Sequence, residues 1–395
     1  MMKTLEELSI RKGEYGGGFS AIDFFDGAPR YIRITDIDAD GKLNDEIKAP
    51  SGNSEEWEKY KLIEGDILFA RSGATVGKSF LYEKSNIDCV FAGYLIRFRP
   101  NKEIALPKYV YYYTKTPSYF AWIKNKQNVV AQPNINAKQY GTELQIPLPP
   151  LPTQQKIAAI LDEADKLRQL NKRLIAKYEA LSQSLFLEMF GDPVSNPKGW
   201  EKVKGSKLYE VKGRVGWKGY KKTDLRDNGP LVLGATHINK GGYLTLSKPV
   251  FLSEEKYLES PEIMIEINDL IFVQRGNTIG KVGIVSYDIG EATINPVVLI
   301  LRPHKTNSLF ILNLLLNNQL KQRILELNSG SAQPMITQKS MNEYEFINPP
   351  IALQNLFAER IQAIEQQKAQ AQQALAKSED LFNSLLQRAF ITPHT

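Results

Sequence analysis

The sequence predicts a mixed α/β (α+β) protein with an internal repeat, in which two similar strand-rich domains alternate with two long helices. A repeated stretch is the first reason: residues 65–78 read GDILFARSGATVGK and residues 268–281 read NDLIFVQRGNTIGK. Residues 151–190 and 351–390 are the second reason, because they lack glycine and are rich in good helix formers. A duplication of this length indicates two related domains rather than a short solenoid repeat.

The two copies of the repeated stretch share six of fourteen residues. The identical pairs are Asp66/Asp269, Phe69/Phe272, Gly73/Gly276, Thr75/Thr278, Gly77/Gly280 and Lys78/Lys281. Each copy is an apolar run followed by a turn with glycines and a cation, which is typical of a buried strand that delivers a polar loop to the surface. Further matches, at offsets between 200 and 203, join residues 34–37 with 235–238, residues 131–135 with 332–336, and the Pro-Pro pairs at 149–150 and 349–350.

The repeat divides the chain into four segments. Residues 1–150 and 193–350 hold short β-branched and aromatic runs between Gly, Pro, Asn and Asp residues, as twisted sheets with some helix would. The internal helices expected in these two segments are residues 109–124 and 309–327. Residues 151–192 and 351–395 are the long helical segments, and the first is expected to end at Gly191-Asp192-Pro193.

Each long segment predicts one helix of about 37 residues and about 55 Å. Apolar residues recur at alternating gaps of three and four, as in a coiled-coil seam, so we expect the helices to pack on each other. The seam residues are Ile157, Leu161, Ala164, Asn171, Ile175, Tyr178, Leu185 and Met189 in the first, and Phe357, Ile361, Ile364, Ala371, Leu375, Phe382, Leu385 and Ala389 in the second. Asn171, Arg168 and Lys368 are polar seam residues that either fix the register or lie on a solvent-facing turn.

The composition limits the class of protein. With 42% apolar and 24% charged residues, the chain is globular rather than disordered or fibrous. A net charge of +6 modestly favours a polyanionic partner. The single Cys89 excludes an internal disulfide framework and suits a reducing compartment. We find no basic-then-apolar leader and no run of about eighteen apolar residues, so we expect a soluble cytoplasmic protein.

The turn of the repeated stretch resembles a phosphate-binding loop without matching it. Ser72 replaces the first glycine of that motif, and the second copy ends in Lys281-Val282, so no nucleotide site is expected. The shared Gly, Thr and Lys residues indicate a structural turn, whereas the side chains that differ between copies are able to read base edges. The predicted DNA-binding residues of the two loops are Arg71, Ser72, Thr75, Lys78, Gln274, Arg275, Asn277, Thr278 and Lys281. A purely structural hairpin is the alternative.

Residues 200–226 form a basic segment with nine cations and four interleaved aromatic residues. This density suits phosphate contacts, which supply affinity without sequence information. The predicted phosphate-binding residues are Lys212, Arg214, Lys218, Lys221 and Lys222. A solvated surface is the alternative. The matching part of the first copy is mixed in charge, with Arg11 and Lys12 beside Glu14, so the two domains are not expected to present the same face.

Three further patterns predict no chemical site. Residues 36–41 begin like a calcium loop, but the twelfth position is Ile47 where a glutamate is needed, so a polar turn is expected. Residues 348–350 read Asn-Pro-Pro, as in adenine methyltransferases, but Ile351 replaces the aromatic residue, so a strand-to-helix junction is expected. The three histidines are far apart in sequence, and they suggest neither a metal cluster nor a catalytic triad.

Taken together, these features resemble the specificity subunit of Type I restriction-modification systems over nearly the whole chain. The best-matching motifs are Gly65-Asp66-Ile67-Leu68, Gly73-x-Thr75-x-Gly77, Pro147-x-Pro149-Pro150-x-Pro152-x-Gln154-Gln155-x-Ile157 and their second-half partners. Each motif is loose by itself, but their repetition in order is fairly specific. The sequence begins almost directly in the first domain, without the short N-terminal segment of some relatives, and this departure bears on how a pseudo-symmetric ring would close.

The resemblance implies two target-recognition domains, residues 1–150 and 193–350, each reading one half of a split site in double-stranded DNA. It also implies that residues 151–192 and 351–395 form antiparallel spacer helices whose length sets the unread gap. Such subunits have no catalytic residues, metal or cofactor of their own. Two methyltransferase subunits that use S-adenosylmethionine would dock on the helices, and two motor-nuclease subunits that use ATP and Mg would join for cleavage.

Two other functions fit parts of the sequence. The chain would otherwise be a coiled-coil scaffold with protein-binding domains, in which case binding would lack the steep salt dependence of phosphate contacts. It would alternatively be a methyltransferase in its own right, which binding of S-adenosylmethionine by the isolated chain would reveal.

Overall fold

The computed structural model describes residues 1–127, 134–214, 219–326 and 335–391. The chain divides into two compact units. The first contains Met1–Asn171 and Ala374–Thr395, and the second contains Lys172–Gln373. Both units mix strands and helices, which agrees with the predicted fold class.

The first unit is built around an antiparallel sheet. Its strands are β1 (Met2–Thr4), β2 (Glu14–Tyr15), β3 (Ala21–Asp23), β4 (Arg30–Ile32), β5 (Lys48–Pro50), β6 (Ile67–Ala70), β7 (Ser79–Leu81), β8 (Cys89–Phe91), β9 (Leu95–Phe98) and β10 (Gln145–Pro147). Its helices are α1 (Ser54–Glu58), α2 (Pro107–Tyr113), α3 (Pro117–Gln127), α4 (Ala137–Glu143) and the first part of α5 (Leu151–Phe190). The main sheet has the order β2-β9-β6-β7, and the pairs β1–β10, β3–β5 and β4–β8 surround it, the last of them parallel.

Strand β6 is buried on both of its faces. Successive side chains of a strand point to opposite faces, so Ile67 and Phe69 pack into one hydrophobic core while Leu68 and Ala70 pack into another. A continuous apolar run is what such a strand needs. The loop that follows β6 therefore starts from a strand that is fully buried.

The second unit repeats this architecture. Its strands are β11 (Lys202–Lys204), β12 (Tyr209–Lys212), β13 (Leu225–Leu233), β14 (Phe251–Leu252), β15 (Leu270–Val273), β16 (Val282–Ile284), β17 (Ala292–Ile294), β18 (Val298–Pro303) and β19 (Glu345–Ile347). Its helices are α6 (Glu254–Leu258), α7 (Ser308–Leu316), α8 (Asn318–Glu326), α9 (Gln338–Glu343) and the first part of α10 (Ile351–Ile391). The main sheet has the order β12-β18-β15-β16.

The register of the two main sheets matches the sequence repeat. Phe69 of β6 lies opposite Ile96, and its repeat partner Phe272 of β15 lies opposite Leu299. Strand β15 is also buried on both faces, since alternate residues belong to different cores. The prediction that each repeated stretch is a buried strand followed by a loop is confirmed in both units.

The internal helix predicted for residues 109–124 is instead two helices, α2 and α3. The hydroxyl oxygen of Thr116 accepts a hydrogen bond from the Tyr119 amide at 3.2 Å, in the manner of a helix cap. Pro117 follows and occupies the first turn of α3, where its missing amide hydrogen costs nothing. The cap at Thr116 therefore begins a new helix, α3, within a stretch whose composition predicts one continuous helix.

The helix predicted for residues 309–327 is also divided, into α7 and α8. Asn317 has an extended backbone, with ψ of 123°, and so ends α7. Its side-chain oxygen accepts from the Leu320 amide at 3.0 Å and caps α8. The last residue of the predicted helix, Leu327, lies outside the described residues.

The two segments predicted to be long helices are α5, with 40 residues, and α10, with 41 residues. Helix α5 begins at Leu151, the first residue of the predicted segment, and Pro152 is tolerated in its first turn. It ends before Gly191, whose φ of 77° lies in the left-handed region.

Each unit packs part of α5 against part of α10. In the first unit, Leu161 of α5 and Leu386 of α10 share one hydrophobic core with the sheet. In the second unit, the ring of Phe186 of α5 lies 5.7 Å from that of Phe357 of α10. These pairs bury apolar residues of both helices within each unit.

Candidate nucleic-acid interface

The loops between β6 and β7 and between β15 and β16 have the same main-chain hydrogen bonds. The amide of Gly77 donates to the carbonyl of Ala70 at 3.1 Å, and the amide of Gly280 donates to the carbonyl of Val273 at 2.8 Å. The φ values of the two glycines are 88° and 78°, a region that favours glycine. The shared glycines therefore serve the turn.

The shared lysines of these loops bond to main-chain carbonyls. The Lys78 ammonium donates to the carbonyl of Ile37 at 2.9 Å, and the Lys281 ammonium donates to that of Ala235 at 3.1 Å. Both carbonyls belong to the turn that follows the neighbouring strand, β4 or β13. The structure thus places these two predicted DNA-binding residues in the framework of the loop, half-buried and holding a second turn beside it.

A buried aspartate immediately before the strand that leads to each loop forms an ion pair with an arginine. In the first unit, Arg99 donates to the Asp66 carboxylate at 2.6 and 2.9 Å, and Asp66 is fully buried. In the second, Arg302 donates to Asp269 at 2.9 and 2.8 Å. Hydrogen bonding to the carboxylate raises the pKa of both guanidinium groups. Sequence reasoning noted the aspartates but missed the arginines, although they recur at the same offset of 203.

The variable side chains of the first loop lie at the end of β6. The Arg71 guanidinium lies over the ring of Tyr15, with its carbon 4.8 Å from the ring centroid. Ser72 pairs through its main chain with Asn134, and its carbonyl accepts a hydrogen bond from the Thr75 hydroxyl at 3.0 Å. Thr75 is therefore part of the turn, while Arg71 and Ser72 are partly exposed beside it.

The variable side chains of the second loop are more open. The Gln274 amide nitrogen donates to the carbonyl of Pro296 at 3.1 Å. Arg275, Asn277 and Thr278 are exposed. These three side chains are free to meet a ligand, whereas Gln274 is held by its own unit. The stretches at 131–133 and 332–334, which belong to another predicted repeat match, lie outside the described residues.

The basic segment divides into anchored and outward-facing cations. Lys212 lies 3.4 Å from the Glu210 carboxylate. Arg214 donates to the carbonyl of Ile294 at 3.3 and 3.1 Å, and burial lowers its pKa. Lys221 and Lys222 are exposed, and Lys218 lies outside the described residues. Of the predicted phosphate-binding residues that are described, Lys221 and Lys222 are therefore the best placed.

Gln154 joins the first strand-rich region to the start of α5. Its side chain is fully buried, accepts from the Leu106 amide at 2.8 Å, and donates to the carbonyls of Ile104 and Pro149, each at 2.9 Å. Two of these hydrogen bonds hold the helix start against the loop before α2, and the third holds it to the proline pair that precedes the helix. The Pro-Pro-x-Pro-x-Gln-Gln motif contains this residue, but the motif alone does not show what the glutamine contacts.

Gln354 has the same role in the second unit. Its side chain accepts from the Asn307 amide at 2.9 Å and the Thr306 hydroxyl at 2.7 Å, and it donates to the carbonyl of Pro349 at 2.8 Å. Asn348 and the prolines that follow it lie between β19 and α10. The predicted strand-to-helix junction is confirmed.

Of the polar seam residues, Asn171 and Lys368 are buried and Arg168 is partly buried, and each contacts another side chain. Asn171 donates to the Ser378 hydroxyl at 3.3 Å within the first unit. Arg168 lies 3.2 Å from Asp40, which belongs to a turn of the strand-rich region. In the second unit, the Lys368 ammonium lies 6.0 Å from the ring centroid of Tyr243. The interpretation of these residues as a frayed, solvent-facing turn is therefore wrong, because Arg168 and Lys368 connect the helices to the strand-rich regions.

The calcium-like turn is held by protein groups. The Asp36 carboxylate accepts from the Arg33 guanidinium at 2.6 Å and from the Arg33 amide at 2.8 Å. The described part of the chain contains no cluster of three His, Cys, Asp or Glu side chains suited to a metal ion. No described helix combines the length and apolar character needed to cross a membrane.

The duplicated loop on a duplicated sheet defines a protein with two related domains. The family model for the Type I restriction modification DNA specificity domain matches residues 25–180 and 197–377. The chain therefore belongs to this family, whose members give Type I systems their DNA-sequence recognition.

Individual relatives agree with this assignment. The chain is 25% identical to the Type I restriction enzyme MjaVIII specificity subunit of Methanocaldococcus jannaschii, over 76% of this chain and 72% of the relative. It is 26% identical to the putative MjaX specificity subunit of the same organism, over 78% and 73%. A crystal structure of a Type I S subunit from M. genitalium shares the fold, with a TM-score of 0.62 and 15% identity over 99% and 96% of the chains. A chain from a structural study of complex assembly in the type I R-M system gives 0.52 and 19% over 99% and 97%.

Proposed function

We propose that this chain is a non-catalytic, sequence-specific DNA-binding subunit in which each strand-rich domain reads one half of a bipartite site. The target-recognition domains would be residues 1–150 and 193–350. One observation carries the proposal: the two loops keep the same main-chain hydrogen bonds while their outward side chains differ. Two domains that recognise different base sequences need a loop backbone that stays the same and exposed side chains that differ.

The long helices would set the distance between the half-sites. Residues 151–192 and 351–395 are the proposed spacer segments, arranged as an antiparallel coiled coil with pseudo-two-fold symmetry. Two observations support this role as a spacer. Each helix is continuous over about 60 Å at the helical rise, and the fourth residue of each is a glutamine that hydrogen-bonds the adjacent domain. If a rigid helix is fixed to its domain, the length of the helix determines the distance between the two half-sites.

The enzymatic work would belong to other subunits. The proposal assigns two methyltransferase subunits, with S-adenosylmethionine, to the helical segments, and two motor-nuclease subunits, with ATP and Mg, to the cleaving complex. Family membership supports such partners. This chain would supply double-stranded DNA recognition and docking, without a cofactor of its own.

A genome-wide map of methylated adenines tests this function. Cells would express the chain together with the methyltransferase subunit of its system, and control cells would express the methyltransferase alone. We expect a new motif of two short half-sites around a fixed unread gap. If no adenine is newly methylated while the two proteins associate, the chain does not specify DNA sequence in this way.

A further inference from the structure

We propose that Arg71 reads a guanine in the half-site of the first domain, with Tyr15 as its positioning residue. This inference rests on the proposed function and adds a base and a residue to it. The argument starts from the main chain. The Arg71 amide donates to the carbonyl of Tyr94 at 3.1 Å, and the Arg71 carbonyl accepts from the Ile135 amide at 2.9 Å. The side chain therefore leaves from a point that is hydrogen-bonded on both sides.

The Arg71 guanidinium stacks on the ring of Tyr15, and a hydrogen bond fixes that ring in place. The guanidinium lies over Tyr15, at 4.8 Å from the centroid, a distance at which cation and ring attract. The Tyr15 hydroxyl oxygen accepts a hydrogen bond from the amide of Ala137, at the start of α4, at 3.1 Å. Stacking on a fixed ring reduces the rotamer freedom that Arg71 would lose on binding.

The Arg71 guanidinium retains donors that its own unit does not use. Its Nε is buried, yet has no hydrogen-bond partner among the described residues. Arg33, Arg97 and Arg99 of the same unit each donate to a carboxylate. The Nε of Arg30 is also buried without a partner, but its Nη2 donates to the carbonyl of Glu46 at 3.2 Å. A buried donor without a partner is costly unless a ligand completes it. This cost points to a ligand that offers acceptors to Arg71.

Guanine is the base whose major-groove edge suits this group. It presents two acceptors, O6 and N7, at the spacing of a guanidinium fork, whereas adenine presents an amino donor beside N7. The described neighbours of Arg71 include three uncharged residues: Tyr15, Ser72, and Tyr94, which is 60% exposed. No carboxylate among the described residues forms an ion pair with Arg71, so its charge is available to the base.

The second domain lacks this arrangement. Gln274 takes the position of Arg71, and its amide nitrogen already donates to Pro296. In the first domain Tyr15 follows Glu14, which lies opposite Arg97, and in the second Gly213 follows Lys212, which lies opposite Ile300. Gly213 therefore takes the position of Tyr15, close to the side chain of Leu299. A Cβ at Gly213 would lie 2.6 Å from the Gln338 amide nitrogen, so no ring can be added there without rearrangement. The inferred guanine therefore belongs to one half-site only.

The test uses the complex of the full chain with its methyltransferase subunits. Duplexes randomised at both half-sites would be selected by binding, for the wild type and for Arg71→Ala. We expect one guanine position in one half-site to lose its preference, by about 5- to 150-fold, with the other half-site unchanged. Uniform weakening across all sequences would show a phosphate contact and overturn the inference, as would an unchanged preference. A wild-type complex that selects no sequence would instead overturn the proposed function and the inference with it.

Base analogues keep the test independent of whether the variant folds. At that position, 7-deazaguanine removes N7 and inosine keeps both O6 and N7. We expect the wild type to lose affinity for 7-deazaguanine and to tolerate inosine. Tyr15→Leu should reduce the ratio of guanine to 7-deazaguanine affinity, whereas Tyr15→Phe, which keeps the ring, should preserve most of it. Equal affinity of the wild type for guanine and 7-deazaguanine contradicts the inference.

Discussion

The Glu14 carboxylate accepts hydrogen bonds from Nη2 and Nε of Arg97 at 2.7 and 3.1 Å, and the Arg97 side chain is only 6% exposed. Arg97 also donates to the carbonyl of Lys61 at 2.7 Å. In the second domain the strand register places Lys212 and Ile300 at the same two positions. One domain therefore satisfies this cross-strand position with an ion pair, and the other places an apolar residue opposite a lysine.

Replacing Glu14 by the residue of the second domain should destabilise the first. In Glu14→Lys, the buried Arg97 loses its hydrogen-bonded carboxylate, keeps the longer contact of 3.9 Å with the Asp66 carboxylate, and gains a like charge. We therefore expect a loss of about 2 kcal/mol in the free energy of unfolding. Denaturant unfolding followed by circular dichroism measures it. The double variant Glu14→Lys/Arg97→Ile recreates the second pair and should recover most of the loss. If the double variant is less stable than Glu14→Lys, the ion pair is not the cause.

Loss of the Gln154 side chain should loosen the junction between the first strand-rich region and α5. Gln154→Ala leaves the Leu106 amide and two carbonyls without their partner, so we expect a loss of about 2 kcal/mol. The neighbouring Gln155 is exposed, and Gln155→Ala is the matched control, with an expected change within about 0.5 kcal/mol. Thermal and denaturant unfolding compare the two. Equal stability of both variants would contradict the role of Gln154.

Replacing an exposed lysine and replacing a lysine that is bonded within the domain should change the salt dependence of DNA affinity differently. Lys222 is exposed in the basic segment, so Lys222→Ala should reduce the slope of log affinity against log salt by about 0.9. Lys281 bonds the Ala235 carbonyl, so Lys281→Ala should lower stability while leaving this slope nearly unchanged. Fluorescence anisotropy at several salt concentrations separates the two effects. A larger slope change for Lys281→Ala than for Lys222→Ala would reverse the assignment.

The buried Lys115 should make stability increase with pH in the alkaline range. Burial lowers the pKa of its ammonium from 10.5 to about 8 in the folded chain. Between these values the unfolded chain binds the proton and the folded chain does not, so raising the pH relieves the cost of burying the charge. Lys115→Met removes this cost and should be more stable than the wild type at pH 7, by about 3 kcal/mol at most.

The difference between wild type and Lys115→Met isolates this group from the tyrosines that also titrate above pH 9. We expect the advantage of the variant to shrink steadily from about pH 8 to about pH 10.5. Urea unfolding at several pH values measures it. An advantage that does not change with pH would show that Lys115 keeps its ordinary pKa.

The fold was largely predictable because the strongest signals were local and occurred twice. Apolar runs such as Ile67–Ala70 carry their own periodicity, and the glycine-free segments predict helix from composition alone. The division of the internal helices was missed, since a cap at Thr116 depends on a single hydrogen bond that outweighs propensity.

The contacts around the candidate interface were much less predictable. Tyr15 lies under Arg71 because β2 and β6 both pair with β9, a relationship that no local pattern shows. The partner of Asp66 is Arg99, on another strand. Lys78 was among the predicted DNA-binding residues of the loop, but in the structure its ammonium donates to the carbonyl of Ile37. Residue type and spacing indicate which side chains are polar, while only the strand order determines which of them face each other.

The lysine bonds of the two loops have an evolutionary consequence. A main-chain carbonyl is offered by every amino acid, so Lys78 and Lys281 depend on the path of the neighbouring turn and not on its side chains. A side-chain substitution in such a turn would leave the carbonyl that accepts from the lysine in place. The loop would therefore keep its anchor through sequence changes around it, and changes at its tip would not require changes elsewhere in the domain.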